Sequence, residues 1–126
     1  MQIELKKLSK DVRGELFNLK IPAKCIINIQ TTNKGYARGG HSHIYDETFF
    51  VVTGKVEYHT GRKNEEHVRI YRSGSIIRTT PGKPHYIVAR EFSVLIEIRP
   101  TGTKYIAKDY KPYRSIVLGL IDKKVE

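Results

Sequence analysis

His41, His43, Glu47 and His85 fall at spacings from which one chemical centre can be built. The first three sit in the pattern G-x(5)-H-x-H-x(3)-E-x(6)-G between Gly35 and Gly54. The fourth closes a second pattern, G-x(5)-T-P-G-x-P-H, that begins at Gly74. Histidines one residue apart project from the same face of a strand, because side chains alternate there with a period of 2. A carboxylate four residues on joins them across a bend. Three imidazoles and one carboxylate suit divalent Zn, Mn, Fe or Ni, and the same groups also serve as proton donors and acceptors with no metal at all. His59 and His67 lie outside both patterns and read as ordinary core or surface residues.

Groups of this kind need strands to hold them, and almost every segment reads as one: 15–21, 24–32, 47–52, 55–60, 67–72, 75–79, 85–89 and 93–99. β-branched and aromatic residues fill these runs, and glycine-containing turns such as Asn33-Lys34-Gly35, Thr53-Gly54, Ser73-Gly74 and Pro81-Gly82 punctuate them. Val94, Ile96 and Ile98 alternate with Ser93, Leu95, Glu97 and Arg99, the pattern of a strand with one face in the core. Short strands at regular spacing argue for a sandwich or barrel. Towards the end, Tyr110-Lys111-Pro112-Tyr113 is expected to be extended or a turn, since the residue before proline avoids the helical region. A short helix over 114–124 carrying Ile116, Val117, Leu120 and Ile121, or an extended tail, would follow, with Gly119 weakening the helix.

Bulk properties bound the classes. With 126 residues and 39% apolar content, the chain fits one domain over 1–126 with one core. There is no run of 18 apolar residues and no apolar stretch behind Lys6-Lys7, so the expectation is a cytoplasmic protein with no membrane partner. The single cysteine, Cys25, lies in an apolar run and reads as a small buried hydrophobe. Lys and Arg outnumber Asp and Glu by 23 to 13, a net charge of +10 that favours an anionic small-molecule substrate or simply gives a solvated basic surface. Nucleic acid is disfavoured, because the bases are spread along the chain and no nucleic-acid module is present.

The two patterns resemble those of the cupin superfamily over roughly residues 35 to 90. The first is matched throughout, glycines included; in the second, Thr80 stands where the family usually has proline, and Ala89 stands where it often has asparagine. The resemblance implies an all-β, double-stranded β-helix, the cupin jelly roll, and a homodimer formed by exchanging or pairing edge strands. Two further stretches narrow it. Asp11-Val12-Arg13-Gly14-Glu15-Leu16 resembles the D-x-R-G-x-(L/F) opening of cupins that epimerise or isomerise the keto-sugar of a nucleotide-sugar, and Lys34 to His43 resembles the K-G-x-x-R-G-x-H-x-H stretch of sugar ketoisomerases and of capsular-sugar enzymes. That branch implies acid/base roles for His41 and His43 and substrate contact for Arg38, while the metal-binding cupins imply His41, His43, Glu47 and His85 as ligands. A sugar isomerase or epimerase is therefore the first expectation. A metal-dependent dioxygenase is the second, and a non-catalytic sugar- or metal-binding module the third.

Overall fold

A computed structural model describes residues 2–101 and 107–125, with side chains to residue 122. Its strands are β1 (Glu4–Asp11), β2 (Gly14–Lys20), β3 (Cys25–Thr32), β4 (Ala37–His43), β5 (Thr48–Thr53), β6 (Lys55–Thr60), β7 (His67–Arg72), β8 (Ile76–Arg78), β9 (His85–Ala89), β10 (Ser93–Pro100) and β11 (Ala107–Asp109), followed by the helix α1 (Lys111–Val125). They make two antiparallel sheets, ordered β1-β2-β3-β10-β5-β8 and β11-β4-β9-β6-β7. The sheets close on each other through Phe49, Val51, Ile77 and Leu95 from the first and Val56, Tyr58 and Ile87 from the second. This is an all-β jelly roll with a short C-terminal helix.

Residues 85 to 89 show how one strand serves two layers. His85, Ile87 and Ala89 face the interior, while Tyr86 and Val88 face outward, where α1 covers them with Tyr113, Val117 and Leu120. The buried stripe of the helix is thus 113, 117 and 120, at the i, i+4, i+7 spacing of one helical face, and Ile116 is exposed.

Several expectations are corrected. The turn foreseen at 110–113 is instead the first turn of α1, with the amides of Tyr113 and Arg114 both donating to the Tyr110 carbonyl. Pro112 is tolerated there because the first amides of a helix have no intrahelical acceptor to lose. Three strands lie outside the foreseen runs: β1, all of it exposed, β11, three residues long, and β4, of which only the histidine pair was read as strand. In β10 the interior face is the one carrying Ser93, Leu95 and Glu97, so the alternating Val94, Ile96 and Ile98 point outward. Cys25 is half-buried rather than buried.

Candidate metal centre and pocket

The strand β4 carries two histidines and an arginine to one side, and a bulge makes that possible. Arg38 pairs with Ile87 and Gly39 with Tyr86, but His41 pairs with His85, so Gly40 is an extra residue in the ladder. Without it, residues 38 and 41 would face opposite sides of the sheet; with it, both line the interior. Glycine is required at the bulge. Gly40 has φ +89°, and a Cβ there would lie 2.7 Å from the Arg114 Cα.

The three histidines converge. Ring centroids are 5.7 Å apart for His41 and His43, 5.3 Å for His41 and His85, and 5.1 Å for His43 and His85. One ring nitrogen from each lies within 4.8 Å of the others. Glu47 stands beside this triad rather than within it, its Oε1 3.2 Å from His43 Nε2. Two ligand atoms on one ion, with bonds of roughly 2.1 Å, are about 3.0–3.6 Å apart. The Glu47–His43 pair already meets that, and the three ring nitrogens stand within 4.8 Å of one another.

Hydrogen bonding says which atoms are available. His43 Nδ1 is 3.2 Å from the Tyr45 carbonyl, which only accepts, so the proton is on Nδ1. Nε2 faces the Glu47 carboxylate, to which it donates a hydrogen bond when the ring is protonated; in the neutral ring its lone pair is free for a cation shared with that carboxylate. The backbone carbonyl behind a ligating histidine is also the arrangement that fixes its tautomer in metal sites. His85 is 2% exposed and its Nδ1 has no hydrogen-bond partner among the described residues. An unpaired buried nitrogen is costly, and ligation is one way to satisfy it. The donor set therefore fits a divalent ion.

Electrostatics agree with the geometry. Burial, then the charge of His43, lowers the pKa of His41, and burial, then the charge of His41, brings His85 down to about 4, so both rings are neutral and able to ligate at neutral pH. Burial opposes a charge on His43 too, but the hydrogen bond and charge of Glu47 outweigh it and raise its pKa. Burial likewise pushes Glu47 upward, and His43 reverses that and keeps the carboxylate ionised.

The centre opens into a cavity of about 350 Å³ lined by His41, His85 and Glu47, with His43 buried beside them. Three arginines share the wall: Arg38, Arg13 and Arg114. Arg38 donates from Nε to Thr32 Oγ1 (3.0 Å) and from Nη2 to the Thr31 carbonyl (2.8 Å), which fixes the plane of its guanidinium. Its pKa is lowered by burial and by Arg13. Arg13 is held by Asp11 at 2.7 Å, and Gly14 lets β2 run against β3, where a Cβ would meet the Thr31 carbonyl at 2.3 Å. Arg114 reaches the pocket from α1 and donates to the Gly39 carbonyl at 2.9 Å.

Of the residues singled out in the sequence, His41, His43, Glu47, His85 and Arg38 all meet here. Glu97, Asp109 and Arg114 were not foreseen. Glu97 is a lone carboxylate in an apolar strand, a signal that could have found it. It lines the cavity, and burial together with the Glu47 charge raises its pKa to about 8. Asp109 reaches the wall because β11 pairs it with His41. His59 lies on the opposite face of its sheet, its Nδ1 2.7 Å from Glu66 Oε1 and its Nε2 against Glu57, and His67 is exposed.

Neither a family model nor a curated protein sequence matches the chain. Solved structures do match. Vicilin from Corylus avellana (hazelnut) superposes with a TM-score of 0.67 at 17% identity, over 82% of this chain and 33% of its own. The capsular polysaccharide assembling protein CapF from Staphylococcus aureus gives 0.64 at 21% identity, over 81% of this chain and 32% of its own. The FeII form of HppE gives 0.61 at 17%, over 76% and 56%. The chain thus spans about a third of the length of vicilin and of CapF.

Proposed function

Starting from a cupin jelly roll whose interior gathers three histidines, we propose that the chain holds one divalent ion on His41, His43 and His85, with Glu47 as a fourth ligand, and isomerises or epimerises an anionic keto-sugar, a nucleotide-sugar being the favoured class. The observation that carries the metal assignment is the convergence of His41, His43 and His85, one ring nitrogen of each lying within 4.8 Å of the others. The ion would polarise the substrate carbonyl.

The protein's own groups do the rest. Moving a carbonyl or inverting its neighbouring carbon requires removal of a proton alpha to the carbonyl and return of one, with no net oxidation. With the histidines committed to the ion, those proton transfers pass to Glu97 and Asp109, carboxyl groups on the same wall. Arg38, Arg13 and Arg114 take the anionic end; planar guanidinium groups suit phosphate oxygens in fork geometry. A cavity of about 350 Å³ is at the small end for ligand sites. It fits the reacting sugar, with the nucleotide extending past the arginines. The K-G-x-x-R-G-x-H-x-H stretch and the fold shared with CapF support a sugar substrate.

A second reading is a metal-dependent dioxygenase. Three imidazoles leave open positions on an iron ion, and the FeII form of HppE shares the fold. One experiment separates them. Untagged protein is analysed for metals, loaded, and incubated with nucleotide-keto-sugars in D₂O while oxygen is monitored. Deuterium entering the carbon next to the carbonyl supports the isomerase. Oxygen uptake without exchange favours the second reading, and ligand retention with neither points to a binding module.

A further inference from the structure

The strand β3 turns Asn28, Gln30 and Thr32 towards the interior, and among the described residues Gln30 alone of these has no side-chain partner. Side chains alternate along a strand, so the three share one face, each roughly 7 Å from the next. Asn28 accepts from Asn18 Nδ2 at 3.1 Å and donates from its own Nδ2 to Glu97 Oε1 at 3.4 Å. Thr32 Oγ1 accepts from Arg38 Nε at 3.0 Å. Between them Gln30 is 6% exposed and lines the cavity. Its neighbours across the sheet are Leu16 on β2 and Leu95 on β10, apolar residues with nothing to offer an amide.

A carboxamide has two donor hydrogens and an accepting oxygen, and leaving them unpaired in a buried place is costly. Methionine or leucine would fill the same space without that cost. Whatever occupies the cavity therefore supplies the partner. The structure assigns Gln30 as the specificity-determining residue of the pocket, reading a hydroxyl-bearing carbon of the ligand; the assignment rests on the proposed sugar substrate. Its place on β3 says which part of that ligand it meets. On one side Asn28 holds Glu97, at the end where the carbonyl is worked on, and on the other Thr32 holds Arg38, at the end that takes the anion. Gln30 faces the stretch between the two, which in a nucleotide-sugar is the sugar ring. A neutral amide can donate to a hydroxyl or accept from it, whereas the arginines on the same wall only donate. A ligand with an apolar carbon at this place leaves the amide buried and unpaired, and sites built to bind a hydroxyl reject analogues that lack it for that reason.

Calorimetric titration of the full chain tests this with UDP- and dTDP-hexoses, the same nucleoside diphosphates without sugar, and hexose analogues lacking one ring hydroxyl at a time. Gln30→Met keeps the volume and removes the amide. It should weaken the best-bound nucleotide-hexose about 10-fold, the worth of about one hydrogen bond, and leave the nucleoside diphosphate within about twofold. One deoxy analogue should cost wild type about 10-fold and cost the variant nothing, the signature of a direct pair. With no partner lost inside the fold, the variant should melt no lower than wild type and carry the same metal content. Should it fail to fold, Gln30→Leu is read in its place, and failure of both makes Gln30 a structural residue and overturns the assignment. A folded variant that binds nucleotide-hexoses as tightly as wild type also overturns it, with the sugar reading left standing. Wild type that binds no nucleotide-hexose more tightly than the bare nucleoside diphosphate overturns the sugar reading itself and the assignment with it.

Discussion

Replacing His43 with alanine is the sharpest test of the metal centre. The wild-type ring is held by the Tyr45 carbonyl, by stacking on Tyr45 at 4.4 Å and by Glu47. Alanine removes one ligand of the triad and leaves Glu47 buried without its closest partner. A metal at 100 times its dissociation constant stabilises the folded state by about 2.7 kcal/mol. For 126 residues at about 2.1 cal/mol/K each, the unfolding entropy is about 260 cal/mol/K, so losing that metal lowers Tm by about 10 °C. The lost packing also destabilises the variant, so each protein is melted with and without chelator and only the difference is read. Wild type should fall by about 10 °C on chelation; His43→Ala should not respond and should lack metal by elemental analysis. A wild-type Tm indifferent to chelator and to added Zn, Mn, Fe or Ni, or a variant with one equivalent of metal, refutes the reasoning.

Acid should weaken the metal-free protein through His85. Its folded pKa of about 4 lies below the unfolded value near 6.5, so the unfolded chain binds more protons between those values and stability is lost as pH falls from 6.5 to 4. The full span is worth about 3 kcal/mol, read as the difference in urea stability between wild type and His85→Gln at pH 7.5 and pH 4.5; an unchanged difference refutes it. The His43–Glu47 pair runs the other way, losing its contribution as pH rises through the raised value of His43. Arg38→Ala should weaken nucleotide-sugar binding by about 1.5 to 3 kcal/mol, and Arg38→Lys should recover only part, since an ammonium cannot hold Thr32 and Thr31 and also present a fork; calorimetric titration of both variants checks this. Gly40→Ala combines a left-handed φ with a 2.7 Å contact to the Arg114 Cα, and should cost about 2 to 4 kcal/mol, visible as a lower denaturant midpoint; an unchanged midpoint would show that α1 yields freely.

The strands and the histidine triad were legible because period-2 patterning and ligand spacing are local properties. What escaped depends on partners distant in sequence. β1, Glu4–Asp11, is so polar that it reads as loop, and only pairing with β2 makes it a strand. The two glycines of β4 disguise its second half. Val94, Ile96 and Ile98 mark a buried face correctly in kind, but which of two faces meets the interior is set by the layer behind, and here Leu95 faces it. Arg114 gave no signal at all: its place in the pocket follows from where α1 docks, which Tyr86, Tyr113 and Val117 decide.

The extra residue in β4 also makes two properties of the pocket separable. The proposed ligands follow the bulge or lie on β9, whereas Arg38 precedes it. Deleting one glycine would restore plain alternation, leaving the imidazoles facing inward and swinging the guanidinium to the outside. Under the proposed function, a one-residue deletion would thus act as a parity switch, parting metal binding from substrate recognition.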